Sequence, residues 1–299
     1  MRQLVQCVPN ISEGRRPEVV EAVVDKVRQT EGVHLLDYSS DRDHNRSVIT
    51  FVGDLESVME ACVALSREAV KHIDMNQHSG EHPRIGAVDV IPLIPIQNIT
   101  LQECAQAAAQ LGHRLWEELE LPVYLYGAAA RKPERSDISN IRRGEYEGLR
   151  MTVVQAERLP DIGGPYLHPT AGAVIVGARL ALIAFNVNLG TSDKSIADAI
   201  AKSLRTSSGS FQHVKAMGVA LEKRGQVQVS MNLENYKKAP IYRVLEAIRR
   251  EAARYGVPVV GSELIGLVPQ EALLDAAHWY LQLENFSPKQ VLENRLRDL

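Results

Sequence analysis

The chain has 299 residues, 45% of them hydrophobic and 24% charged, enough to bury one large core or two ordinary ones. A formal charge of −3 argues against a broadly basic surface for nucleic acid or anionic membranes, and no apolar run approaches the roughly 20 residues of a membrane-spanning helix. Cys7, Cys62 and Cys104 are scattered without CxxC spacing, which predicts buried thiols in a reducing, cytoplasmic compartment, and MRQLVQCVPN lacks the apolar stretch of a signal peptide.

Leu4–Val8 reads as a short strand closed by Pro9-Asn10, and Ile11–Gly14 as a turn before Pro17, well placed as the first residue of a helix. Val19, Val20, Val23, Val24 and Val27 recur at helical spacing. Val33–Tyr38 and Arg46–Val52 read as strands around a polar turn, and Asp54 caps a helix bearing Val58, Ala61, Cys62, Leu65 and Ala69 on one face. Ala87–Ile94 resembles a strand whose Pro92 and Pro95 predict an edge or terminal position. Thr100–Glu103 is a capping box opening a helix to about Leu119, and Leu121–Tyr126 is the next strand. In the second half, Leu180–Val187 reads as a strand, Ser192 or Asp193 as the cap of a helix to Leu204, and His213–Leu221 with Gln226–Asn232 as a hairpin around Lys223–Gly225. Pro240 opens a helix to about Tyr255, Val257–Val260 repeats the pattern of Leu121–Tyr124, and Pro269–Leu283 is the last helix.

Strand–helix–strand, twice in each half, is the split βαβ order of ferredoxin-like sheets. The expected fold is α+β, with two ferredoxin-like α/β subdomains related by duplication, each a sheet coated by helices. The strand–helix pair 87–119 would enlarge the first copy; the rival architecture is one continuous mixed sheet. Gly and Pro crowd between residues 160 and 180, which predicts subdomains 1–178 and 179–299.

Three stretches carry candidate chemistry. His78–Arg84 reads HSGEHPR, a literal match to the HxxEH pattern of inverted zinc peptidases. That pattern needs both histidines on one helical face, and Ser79-Gly80 and Pro83 deny it the helix, so no metal is expected. The other reading is an acid–base loop, with His82 as proton shuttle, Glu81 as its orienter, Arg84 as an anion contact and His78 as second choice. In Asp41–Arg46, Asn45 and Arg46 begin an apolar strand and can point polar groups into a site, whereas Arg42 and His44 read as solvated turn. Gly163–Ala173, GGPYLHPTAGA, allows close backbone approach to a flat ligand; an interdomain linker explains its Gly and Pro equally well.

These stretches together resemble the formiminotransferase family. The similar segments are CVPNISEG at 7–14, LLDYSSDRDHNRSV at 35–48, GEHPRIGAVDVIP at 80–92, LPVYLYGAAA at 121–130, RRGEYEGL at 142–149, GARLALIAFNVNL at 177–189 and VVGSELIGLVPQEALLDAA at 259–277. The resemblance implies transfer of a formimidoyl group from N-formimidoyl-L-glutamate to N5 of tetrahydrofolate, two α/β subdomains with folate in the groove between them, and a homodimer. Tetrahydrofolate would be a co-substrate, and no nucleic acid or membrane partner is implied. By the same resemblance the catalytic histidine is His82, and folate is bound by Gly163, Gly164, Pro165, Tyr166, Leu167, His168, Pro169, Thr170, Ala171 and Gly172. The chemistry of the transfer makes Glu81 or Asp89 a candidate partner of His82, and Asp37, Asp41, Asp43 and Asn45, with Asp43 preferred, candidates to stabilise the nitrogen-borne charge of the adduct. Asn10, Asn45, Arg46, Arg84 and Arg179 are the further substrate contacts, the arginines because both substrates bear carboxylates. Some relatives carry an acidic residue at the place of Ser39 and an aromatic at that of Ala171; Asp41 or Asp43 stands in for the former. The alternatives are a formyl-group transferase acting on folate, a zinc hydrolase and a non-catalytic folate-binding protein.

Overall fold

A computed structural model of the chain describes residues 3–208 and 210–296 and divides into two compact units, Met1–Arg179 and Leu180–Leu299. In the first unit β1 (Leu4–Cys7) and β2 (Asn10–Ile11) are one strand interrupted at Val8-Pro9. They are followed by α1 (Pro17–Gln29), β3 (Val33–Asp41), β4 (Arg46–Gly53), α2 (Leu55–His72) and β5 (Val88–Gln97). All neighbours are antiparallel in the order β3-β4-β1/β2-β5, the ferredoxin-like arrangement.

An extension follows: α3 (Leu101–Leu119), β6 (Val123–Gly127), the short helices α4 (Ile138–Ile141) and α5 (Glu145–Thr152), and β7 (Val174–Ala178). β7 joins β5 in parallel and β6 joins β7 in parallel. The insertion that enlarges the first copy is therefore 101–178 and not 87–119, because β5 is the fourth strand of the ferredoxin-like core. The expectation of an edge position for β5 is also corrected, since it lies between β1/β2 and β7. Its prolines are tolerated for local reasons. Cys7 pairs with Leu93 and Asn10 with Val90, so the break at Val8-Pro9 falls opposite Ile91-Pro92, where no ladder bond is asked of Pro92 on that side. Pro95 lies beyond Leu93, the last β5 residue paired to β7.

The valines of α1 are buried with Phe51 and Leu93 in one core that also takes Leu65 of α2 and Leu111 of α3. Asp54 accepts a hydrogen bond from the Ser57 N–H at 3.0 Å to start α2, and Thr100 with Glu103 closes both halves of the capping box of α3. On the other face of the sheet, Ile141, Leu149 and Val153, in and just beyond α4 and α5, pack on Tyr124, Tyr126 and Ile175, which holds that insertion against β6 and β7.

The second unit runs β8 (Ile183–Leu189), α6 (Lys194–Leu204), β9 (Val214–Leu221), β10 (Gln226–Leu233), α7 (Ile241–Arg254) and β11 (Val259–Ile265), then α8 (Gln270–Leu281) and α9 (Leu292–Leu296). Its order, β11-β8-β10-β9, is again ferredoxin-like. Phe185, Val187 and Leu189 face Ile200, Val244 and Ile248 in its core. On the alternate positions, Gln228 Nε2 donates to Asn188 Oδ1 at 2.8 Å, Asn188 Nδ2 to Glu263 at 3.2 Å, and Arg224 to Glu263 at 2.8 Å. The likeness of Val257–Val260 to Leu121–Tyr124 does not mark equivalent strands: β11 closes the second core, whereas β6 belongs to the extension of the first.

Leu111 is fully buried at the centre of α3. Replacing it with Ala should destabilise the first unit by about 2–5 kcal/mol, read as a lower urea midpoint for its unfolding transition.

Candidate active site

The site is built where the β3–β4 turn, the segment 73–87 after α2, and α4 meet. The β3–β4 turn is held by Asn45, which adopts a left-handed backbone (φ 48°). Its Oδ1 accepts the Gly14 N–H at 2.9 Å and its Nδ2 donates to the Ser79 carbonyl at 3.0 Å. Gly14 and Gly80 pack directly on this turn: a Cβ would come within 2.2 Å of the Asp41 and His44 carbonyls, respectively. Only glycine allows both segments to approach it. The Ser12 hydroxyl donates to the Gly86 carbonyl at 2.7 Å, tying the start of the chain to the same segment.

Residues 78–82 are not helical. His78 accepts the Arg84 Nε–H on Nδ1 at 3.1 Å, which leaves Nε2–H to donate to the Asn45 carbonyl at 3.0 Å. Both ring nitrogens are thereby engaged in one neutral tautomer. Burial, first of all, lowers the His78 pKa and favours the same state. His78 and His82 thus lack the shared helical face of a two-histidine zinc motif. Among the described residues no group of three or more His, Cys, Asp or Glu is placed to hold a metal ion.

Arg84, expected to meet an anionic ligand, is directed inward instead. Its side chain is 7% exposed and pairs with Glu145 at 2.5 Å and Glu147 at 2.6 Å. With further bonds to Glu147, His78 Nδ1 and the His78 carbonyl, all five N–H donors are used. The guanidinium therefore clamps the His78–Arg84 loop onto the start of α5.

His82 is half-buried, and its Nδ1 is buried without a partner. Burial, then the charges of Arg46 and Arg142, push its pKa down to about 4, against the opposing pull of Asp89. His44 lies edge-on to it with ring centroids 6.1 Å apart and is bonded to Asp41 at 3.2 Å. Arg46 donates to Asn10 Oδ1, and burial lowers its pKa to about 10. Asp89, 1% exposed, accepts from the Ile85 N–H at 3.0 Å and from Arg142. Asp43 and Glu81 are exposed, linked by the Glu81 N–H to the Asp43 carbonyl at 3.3 Å.

Gly163–Gly172 belongs to the first unit, between α5 and β7, and is not a linker between units. Gly163 packs on Trp116 with φ 102°, and Tyr166, 52% exposed, lies with its ring 5.9 Å from that indole. His168 Nδ1 accepts the Ala171 N–H at 3.0 Å, closing a turn whose ends also exchange His168 and Gly172 backbone bonds. The Pro169 and Thr170 carbonyls accept from Asn76 Nδ2 and Met75 N, at 2.9 and 2.7 Å. Ala171 is buried in the core; Gly164, Pro165 and Leu167 are partly or fully exposed. Arg179, just past β7, lies near Tyr126 and Cys7 and lowers the Tyr126 pKa against the larger, raising effect of burial.

The structure thus gathers Asn10, Asn45, Arg46 and His82 with Asp89, and holds the 163–172 turn through Met75 and Asn76. Sequence reasoning missed Arg142, His44, Glu145 and Glu147. RRGEYEGL carries three of these, but only structure shows that its charges are spent on the loop and on Asp89.

The ferredoxin-like sheet thus carries a half-buried imidazole beside guanidinium groups and a buried carboxylate, a group able to exchange a proton. The formiminotransferase domain, N-terminal subdomain, matches residues 4–179, and the formiminotransferase domain matches residues 184–296. The chain is 48% identical to a glutamate formimidoyltransferase of Streptococcus pyogenes over 297 residues, 99% of either chain. It is 47% identical to one of Thermoplasma acidophilum, covering 98% of this chain and 97% of that one. It is also 46% identical to the formimidoyltransferase-cyclodeaminase of Rattus norvegicus, covering 95% of this chain and 53% of that one. The chain belongs to the formiminotransferase family.

The depressed pKa values of His78 and His82 set a direction for stability. In the fold each ring binds its proton less readily than in the unfolded chain, where histidine takes one near pH 6.5. Below about that pH the unfolded chain binds more protons, so this stability is full above 6.5 and drains away as pH falls toward 4. Melting temperature should fall from pH 7 to pH 5, with a shallower slope in His82→Gln. Equal slopes would show that His82 does not contribute.

Proposed function

We propose that this protein transfers the formimidoyl group of N-formimidoyl-L-glutamate to N5 of tetrahydrofolate, giving 5-formimidoyltetrahydrofolate and L-glutamate. The observation that carries this reading is His82, whose half-buried, neutral ring keeps an unpartnered Nδ1 at a cationic site. The full-length likeness to two glutamate formimidoyltransferases supports it.

N5 of tetrahydrofolate attacks the formimidoyl carbon, and the resulting tetrahedral adduct expels the glutamate nitrogen. His82 takes the proton that N5 loses and returns it to the departing nitrogen, so no net proton is consumed. Only a neutral imidazole can begin that sequence. The adduct of an amidine carries its charge on nitrogen, which suits carboxylates more than an oxyanion hole; Asp43 and Glu81 are the exposed carboxylates on the two loops flanking His82. Folate is assigned to Gly163–Gly172, where Tyr166 beside Trp116 offers an aromatic face that buried Ala171 cannot supply. Arg179 is a carboxylate contact for the same ligand. Arg84 positions His82 through its clamp on Glu145 and Glu147. The working unit is proposed to be a homodimer of two formiminotransferase subdomains per chain, 1–178 and 179–299, in the cytoplasm. Three free, buried cysteines agree with a reducing compartment.

Formation of 5-formimidoyltetrahydrofolate should be measured for wild type, His82→Ala and Arg84→Lys. His82→Ala should lose about 10²–10⁴-fold in kcat. Turnover at the wild-type rate would refute the shuttle role. Activity with N-formyl-L-glutamate alone would reassign the donor. Arg84→Lys cannot reproduce the fork of five donors and should lower kcat about 10–100-fold while the melting temperature changes little. An unchanged kcat would show that the clamp does not position the loop.

A further inference from the structure

Three side-chain nitrogens around the reacting histidine are buried and have no partner: Nε of Arg46, Nε of Arg142 and Nδ1 of His82. They come from the start of β4, the C-cap of α4 and the segment 73–87. The fields of Arg46, Arg142 and Asp89 all act on His82, and those of Asp89, Arg142 and Asp41 act on Arg46, so these groups are neighbours. Their hydrogen bonding is uneven. Arg142 is hydrogen-bonded to the Asp89 carboxylate, while among the described residues Arg46 is hydrogen-bonded to the neutral amide oxygen of Asn10 and to no carboxylate. A guanidinium buried with a neutral partner keeps most of its desolvation penalty until an anion arrives.

We infer that Arg46 and Arg142 form a carboxylate subsite beside His82, and that it takes the α-carboxylate of the formimidoyl donor. This rests on the functional reading above. Covalent geometry selects the donor over folate. In N-formimidoyl-L-glutamate the α-carboxylate is separated from the reacting carbon only by the departing nitrogen and Cα. In tetrahydrofolate the whole p-aminobenzoyl spacer separates N5 from the glutamate tail. An anion subsite next to the proton shuttle therefore fits the first and not the second. Seating the carboxylate there delivers the departing nitrogen to the ring that must protonate it. It also sets a negative charge against the two cations that weaken His82 as a base, so the base strengthens when the donor is in place.

L-Glutamate keeps both carboxylates and L-isoglutamine replaces the α-carboxylate alone with an amide, which makes them matched probes. In wild type, glutamate should compete with the donor at least about 10-fold better than isoglutamine, the loss expected for one charge-assisted contact. Arg142→Lys should raise KM for the donor about 10–100-fold, leave KM for tetrahydrofolate within about twofold, and erase the preference for glutamate. Equal inhibition by the two probes in wild type, or an unchanged donor KM in Arg142→Lys, would overturn the assignment. A rise confined to the tetrahydrofolate KM would also overturn it, in favour of the folate tail. Arg142→Gln leaves Asp89 without its cation and can fail to fold; Arg142→Lys keeps a positive charge there and decides the matter in that case. If wild type makes no product from the formimidoyl donor, the functional reading fails, while direct binding of glutamate against isoglutamine still tests the subsite.

Discussion

A carboxylate buried as fully as Asp89 must have its charge met by protein groups, and the way this happens organises the first unit's site. One oxygen takes the backbone N–H of Ile85, which fixes the path of the chain between the histidine loop and β5. The other takes Arg142, which anchors the C-terminal end of α4 over the sheet. The same charge is felt by Arg46 and His82, so a strand of the ferredoxin-like core, a helix of the extension and the loop between them share one electrostatic centre. Moving any of the three would leave a buried charge exposed to an apolar surrounding.

Two histidines four residues apart in HSGEHPR meet opposite fates because of what lies on either side of each ring. His78 is saturated, accepting from Arg84 and donating to Asn45, and works as a rigid strut. His82 keeps a buried Nδ1 without a hydrogen-bond partner among the described residues. The strut and its clamp on Glu145 and Glu147 spend charged groups on immobility, so that the second ring can remain uncommitted. A motif resembling a metal site in letters thus places its two histidines in different surroundings, off any shared helical face.

Local signals in the sequence carried much of the fold. The valine stripe of α1, the Asp54 cap and the Thr100–Glu103 box each depend on neighbours within a few residues, and each is found as read. The position of β5 was not legible, because its prolines are excused by a break in a strand some eighty residues earlier. β7 was hidden in a stretch whose glycines and prolines read as loop or linker. At the site, His82, Arg46 and Asn45 stood out by residue type and place, and the structure brings them together. Arg84 was recognisable as functional, but its direction was not, since Glu145 and Glu147 are remote in sequence. Arg142 and His44 carried no local signal: a solvated turn and a basic pair look the same whether or not they converge on a buried ring.

The second unit repeats the strands that hold the site in the first. β8, β10 and β11 occupy the places of β1/β2, β4 and β5 and carry a polar cluster of their own, Asn188, Gln228 and Glu263, which is not in register with Asn10, Arg46 and Asp89: Asn188 pairs with Gln228, whereas Asn10 pairs with Val48. In the second unit the two amides and the carboxylate bond to one another, with Arg224 completing the circuit. One sheet design has thus been finished in two ways. The later copy closes its cluster with its own side chains, Arg224 reaching in from solvent, whereas the earlier copy leaves three buried nitrogens without a hydrogen-bond partner among the described residues.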